Sequence, residues 1–269
     1  MPVRTVALLL AFFAIDAFAQ IRVGDEDWTK RAEGRPRVDA AIAAYEKAIA
    51  DDPDNLDAHW KLLRAFRFQG AYLAENRDEK KKIYTTAKSA GDKALAAIDR
   101  KAKLRGSEKR VADALRSTPH AAEVLYWDAA VWGEWALVYG KLAAAREGVA
   151  DRIKRHATLA MLIDPKAEGG GGSRILGRLH HQTPRIPFLT GWASDELAVK
   201  YLKESLADDP TNKLTRVWLA EAMVAANPRS KPQAMEMLRE VVNSPNDPEY
   251  IVEQKAAVDD AKALLAAWK

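Results

Sequence analysis

Apolar and small residues recur at three- and four-residue spacing through most of the chain, as in Ala41, Tyr45 and Ala48, or Ile153, Ala157 and Ala160. That is the period of a helix with one buried face. No stretch alternates apolar and polar residues long enough to make a convincing strand. Ala, Leu, Glu, Lys and Arg, the strong helix formers, dominate the composition. Prolines at 36, 53, 119, 165, 184, 187, 210, 228, 232, 245 and 248 fall between these stretches. Breakers so placed mark helix ends. The expected fold class is all-α.

A spaced pattern returns along the chain. Ala41, Tyr45, Ala48 and Pro53 are matched in spacing by Ala198, Leu202, Ser205 and Pro210, and by Ile153, Ala157, Ala160 and Pro165. A weaker copy is Ala234, Leu238 and Val241, with Asn246 where a proline would fall. Small residues at the first and third positions let two helices approach, and the proline stops the helix so that the chain can turn back. A second pattern follows two of the stops: Ala58, Leu62, Ala65 and Phe66 after Pro53, and Thr215, Leu219, Ala222 and Met223 after Pro210. This resembles the tetratricopeptide (TPR) pattern. The three prolines lie 112 and 45 residues apart. These are not multiples of the repeat's period of about 34. The expected architecture is therefore an irregular α-solenoid of stacked antiparallel helical hairpins separated by insertions. The largest insertion, residues 71–116, is predicted to hold a long charged helix from Tyr72 to about Arg105 and a short one over Glu108–Arg116.

The amino terminus changes the setting. Arg4, the apolar run Val6–Ile15 and Ala17-Phe18-Ala19 have the build of a secretory signal peptide. The run is about half of the roughly 20 residues that a spanning helix needs. Residues 1–19 are thus expected to be removed, leaving residues 20–269 as a single helical domain in the periplasm or outside the cell, with no stable membrane anchor. The formal charge of +4 is too weak a bias to imply nucleic acid. The absence of cysteine excludes a thiol nucleophile, a disulfide framework, a Cys-based zinc site and a lipid-modified amino-terminal Cys.

From Ile163 onward the residues resemble a particular family. Ile163-Asp164-Pro165, the run Gly169 to Leu179, Pro184, Gly191, and Ala198 to Pro210 are similar to the T component of periplasmic TRAP transporters (TatT-like proteins). Leu219-Ala220-Glu221, Pro245 to Pro248 and a last helix from about Glu253 to Trp268 extend the likeness. It covers residues 120–268 well and the first third loosely. The resemblance implies a non-enzymatic scaffold that contacts a solute-binding protein and oligomerises around a path for an apolar ligand. The chain departs from the lipoprotein form of that family in having no Cys. The Leu-Gly-Arg helix after a Pro-rich boundary is also similar to regulators of microtubule dynamics, but a secretory leader favours the former.

Gly170 and Gly171, within a run of four glycines, precede a helix and could turn backbone N–H groups toward an anion, with Arg174 adding charge; the alternative is a turn that lets hairpins pack closely. Arg174 and Arg178 lie four apart on one face and could hold a carboxylate of a neighbouring helix. Trp127, Trp132, Trp135 and Tyr139 form the densest aromatic set, either core or the lining of an apolar channel. Asp128 on that helix needs a partner. Phe188 and Trp192 sit in an apolar loop between helices, which either touches a partner or folds back. His180 and His181 point about 100° apart and cannot easily share a metal. Lys80–Lys82 and the cluster from Arg100 to Arg110 read as a solvated face with a possible attraction to anionic lipid. No nucleophile elbow, metal motif or nucleotide cradle is present, so no catalytic residue, cofactor or metal is expected. The preferred reading is an accessory protein of a TRAP-type system, able to form homo-oligomers. The alternative is a general periplasmic scaffold for protein partners, without a ligand.

Overall fold

A computed structural model describes residues 17–187 and 190–268. Among them every regular element is helical. The chain divides into two compact units between Lys141 and Leu142.

The first unit begins with α1, residues 17–29. A short 3-10 turn leads to α2 (Arg35–Asp51), whose Pro36 sits in the first turn, where a missing N–H costs nothing. Then come α3 (Leu56–Phe68), a π-helical turn over Gln69–Leu73, α4 (Arg77–Lys101), α5 (Glu108–Leu115) and α6 (Ala121–Tyr139). The long insertion helix is therefore shorter at both ends than Tyr72–Arg105. Asn76 sets its start by accepting the Glu79 N–H, and the chain turns extended at Ala102. Helices α2, α3 and α4 pack in chain order, but α6 returns to pack on both α3 and α4.

Helix α7 (Lys141–Arg146) spans the division. The second unit continues with α8 (Val149–Ile163), α9 (Gly171–Gln182), α10 (Asp195–Asp208), α11 (Lys213–Ala226), α12 (Lys231–Asn243) and α13 (Ile251–Ala267). Each packs against the next. This is a stack of antiparallel hairpins of TPR type.

The repeated prolines build one turn three times. The N–H after each proline donates to the aspartate before it: Asp54 to Asp52, Lys166 to Asp164 and Thr211 to Asp209, at 3.2, 2.9 and 3.2 Å. The aspartate's own N–H closes the preceding helix on the carbonyl of Ala48, Ala160 or Ser205. Those small residues, with Ala41, Ala157 and Ala198, are buried where neighbouring helices approach. After two of the turns an asparagine caps the next helix: Asn55 accepts from Ala58 N and Asn212 from Thr215 N. The third turn differs. Glu168, Gly169 and Gly170 all take positive φ, and the Gly170 Cα lies against Ser205. A side chain at Gly170 would meet that backbone, so glycine is required there.

Candidate protein-interaction site

Helix α3 carries the site. Asp57, Trp60, Arg64 and Arg67 lie at i, i+3, i+7 and i+10, on the side opposite the buried Leu62, Ala65 and Phe66. All four are half-buried. Helix α1 supplies Asp25 and Trp28 to the same face. The groups stack in alternation. The Arg31 guanidinium lies 4.8 Å from the Trp28 ring centre, and Arg64 lies 4.2 Å from Trp28 and 4.6 Å from Trp60. Lys61 stands 5.6 Å from Trp60, and the His120 ring 6.3 Å away. Cations held over indole faces are each worth about 0.5–2 kcal/mol, more when dry. The layer is thereby stiffened before any partner arrives.

Carboxylates fix its edges. Lys61 bridges Asp25 and Asp57 at 2.8 and 2.9 Å, and Asp57 also accepts the Trp60 indole N–H at 2.9 Å. Tyr45 donates to Asp25 at 2.8 Å; burial first, then the Asp25 charge, raises that phenol well above its ordinary range. On the α6 side, Arg67 reaches Glu134 at 2.8 Å and donates to the Tyr72 hydroxyl at 2.9 Å. His120 opens α6 in a left-handed conformation, with Glu123 at 3.4 Å and Asp57 at 3.8 Å. The contact with Glu123 is the main cause of a raised imidazole pKa, with Asp57 adding to it. Burial alone would raise the Glu123 carboxyl, but the contact with His120 holds it low.

The second unit has a histidine of the opposite kind. His180 stacks on Tyr201 and meets the edge of Trp192, and its Nδ1 accepts the Ser194 N–H at 3.2 Å. Burial, then the charge of Lys154, lowers its pKa. Signs follow by linkage. The stability contributed by His120 is complete below its unfolded value near 6.5 and is lost as pH rises through its folded value. That from neutral His180 is present above about 6.5 and is lost as pH falls. By NMR, His120 should therefore titrate above 6.5 and His180 below it. Denaturation should show His120→Gln costing more at about pH 5 than at pH 8, and His180→Gln the reverse. Equal costs at both pH values would contradict both assignments.

The residues singled out in the sequence fall in several places. Trp132 and Trp135 are buried, with the Lys88 ammonium 4.1 and 4.2 Å from their ring centres. Tyr139 stacks on Trp135 at 4.4 Å and shares a 2.8 Å hydrogen bond with Thr85. This stripe packs on α4. Trp127 differs: by helical register it shares the α6 face of Glu123 and Glu134, which meets α3. Asp128 is fully buried and points at Gly91 of α4. Gly170, Gly171 and Arg174 are buried, and Arg174 donates to the carbonyls of Glu168 and Gly169, closing the glycine turn. Arg178 does hold a carboxylate of a neighbouring helix, Glu221 of α11, at 2.6 Å and lies 4.9 Å from Trp218. Trp192 is half-buried beneath Lys154 at 4.4 Å. Phe188 lies outside the described residues. Sequence reasoning passed over Asp57, Trp60, Arg64 and Arg67. The signal available was an aromatic and charged face at helical spacing on the helix after Pro53.

Among the described residues no three His, Asp or Glu side chains are grouped to hold a metal ion, and no helix is long and apolar enough to cross a membrane. Residues 37–62 match the family described as TPR repeat. That segment is most of α2, the Asp52-Pro53 turn and the first half of α3. A solved chain described as "Functional Characterization of Pseudomonas Aeruginosa pilF" is similar over 91% of this chain and 99% of its own, at 16% identity and a TM-score of 0.33. No curated protein matches the chain.

Proposed function

We propose that this chain is a non-enzymatic scaffold that binds a segment of a protein partner on the α3 face of the first unit. The observation that carries the reading is the Trp28–Arg64–Trp60 layer. Trp, Tyr and Arg dominate binding hot spots because they offer a large contact area and directed hydrogen bonds at low entropic cost. Here Trp60 and Arg64 are half-buried, held against the buried Trp28 and interleaved with charged groups. Such a surface suits a polypeptide better than an apolar solute.

The setting we propose is the periplasm, after cleavage near Ala19. The partner we propose is the solute-binding protein of a TRAP-type uptake system. Both rest on the leader and on the resemblance of residues 163–210. Intact mass of the protein purified from its source should correspond to a chain starting at Gln20.

The test of the scaffold is site-specific photo-crosslinking in cells of the source organism. A crosslinker at Trp60 should trap one partner that a crosslinker at the exposed Lys47 does not. With that partner purified, Trp60→Ala and Arg64→Ala should each weaken Kd by about thirtyfold, the effect of losing a hot spot of about 2 kcal/mol. Unchanged affinity in both variants would sink the reading.

A further inference from the structure

The positive charge of this protein is concentrated in one segment. Residues 77–110 hold twelve Lys or Arg against five Asp or Glu, a net +7, while the whole chain carries +4; the remainder is therefore net −3. Most of the segment is α4, about 37 Å long at 1.5 Å per residue. Its apolar side, with Ile83, Tyr84, Ala87, Gly91, Ala94, Ala97 and Ile98, is buried. Lys82, Thr86, Ser89, Lys93 and Arg100 follow one another along the opposite, exposed stripe. Lys101, Lys103, Arg105, Lys109 and Arg110 continue the exposed charge past the end of α4.

Part of this charge is neutralised internally. Lys81 pairs with Asp78, Lys103 with Asp99, Lys109 with Asp113, and Arg100 with Asp54. Lys80, Lys82, Lys93 and Lys101 make no ion pair among the described residues.

We infer that the outer face of α4, with residues 102–110, binds the surface of an anionic lipid bilayer. The charge sign demands an anionic partner. The distribution selects a bilayer. The unpaired lysines are spread along and around the helix, and Tyr139, the ring beside Lys81 and Lys82, is already engaged by stacking on Trp135 and by its hydrogen bond with Thr85. Asp78, Asp92 and Asp99 are interleaved with the cations. A nucleic-acid duplex presents phosphates at fixed spacing and must oppose those carboxylates. Lipids diffuse laterally, gather beneath the lysines and leave the carboxylates over neutral headgroups. Each such cation near a charged membrane strengthens binding about fivefold. The interaction is superficial and screened by salt, because no spanning segment accompanies it.

The test is co-sedimentation of the full chain with vesicles of phosphatidylcholine alone or mixed with phosphatidylglycerol. Binding is expected only to the mixed vesicles, and should be lost when ionic strength is raised from about 0.1 to 1 M. The triple variant Lys82→Glu, Lys93→Glu and Lys101→Glu should lose at least about a hundredfold in affinity. A control with Lys47→Gln, Lys203→Gln and Lys255→Gln, exposed lysines elsewhere, should lose little. Should the triple reversal unfold, Lys93→Gln alone is expected to weaken binding about fivefold. The inference is overturned by failure to bind mixed vesicles, by equal binding to neutral vesicles, or by equal losses in the α4 and control variants. Tighter binding to duplex DNA or to poly-glutamate than to mixed vesicles would also overturn it, assigning the face to those polyanions.

Discussion

Gly172→Val is expected to destabilise the second unit by about 3 kcal/mol, the upper part of the range for overpacking a close contact. Helix α9 lies between α8 and α10, and glycines on two of its sides make room for them. A Cβ at Gly172 would stand 2.8 Å from Met161 N and 2.9 Å from Ala157 O, both backbone atoms of α8. No rotamer change relieves a clash with backbone, so the helices must separate. Separation exposes Ala157 and Ala160, which are buried at that crossing. Gly177 plays the same part toward α10, where a Cβ would meet the Leu202 Cγ at 2.5 Å and Ala198 O at 3.1 Å. Gly177→Val should cost about 2 kcal/mol or more, since Leu202 is itself fully buried and can yield only by disturbing its neighbours. Gly191 is the internal comparison. Its nearest neighbour would be 3.8 Å away and its φ is ordinary. Gly191→Ala should stay within about 0.5 kcal/mol of the native protein. Thermal unfolding followed by circular dichroism checks the set, with a drop of about 10 °C expected for Gly172→Val. A native-like midpoint in that variant would show that α8 and α9 can part without loss.

Arg67→Met should cost the first unit about 3 kcal/mol, and adding Glu134→Leu should restore most of it. The Arg67 and Glu134 side chains are 18% and 22% exposed, so each has given up most of its water. Removing the arginine strands a carboxylate and also takes a donor from the Tyr72 hydroxyl. Breaking a buried pair costs about 3–5 kcal/mol, whereas replacing both members by apolar groups is often neutral. Residual solvent access places this pair at the lower end. A urea-denaturation cycle over the two single variants and the double should give a coupling well above about 2 kcal/mol, because Glu134→Leu alone also strands a charge. Near-additive losses would mean that the two residues act independently. The pair also has a positional role. It ties α6 to α3, and His120 at the start of α6 lies beside Trp60.

Much of the fold is legible in the sequence because much of it is local. The Asp-Pro turns are built from hydrogen bonds spanning two to four residues, so the spacings that end at Pro53, Pro165 and Pro210 announce them. The asparagine caps and the start of α4 follow the same logic. The ends of α4 are not legible in the composition, because charged helix formers continue past both. Asn76 and the extended Ala102 decide those ends, and neither breaks the composition. The α3 face was legible in part. Its spacing is present in the sequence, but Trp60 and Arg64 read as ordinary surface until Trp28 and His120 are set beside them.

The sequence by itself determined the helices, their turns and their small-residue crossings. Each depends on bonds between near neighbours or on the size of one side chain, which the order of residues states directly. Only the tertiary structure decided which faces meet. Arg67 and Glu134 are 67 positions apart, Lys61 and Asp25 are 36 apart, and α6 passes over the insertion to reach α3. Those encounters are chosen by how whole helices bury their apolar sides together, a property of the packed chain that no local spacing encodes.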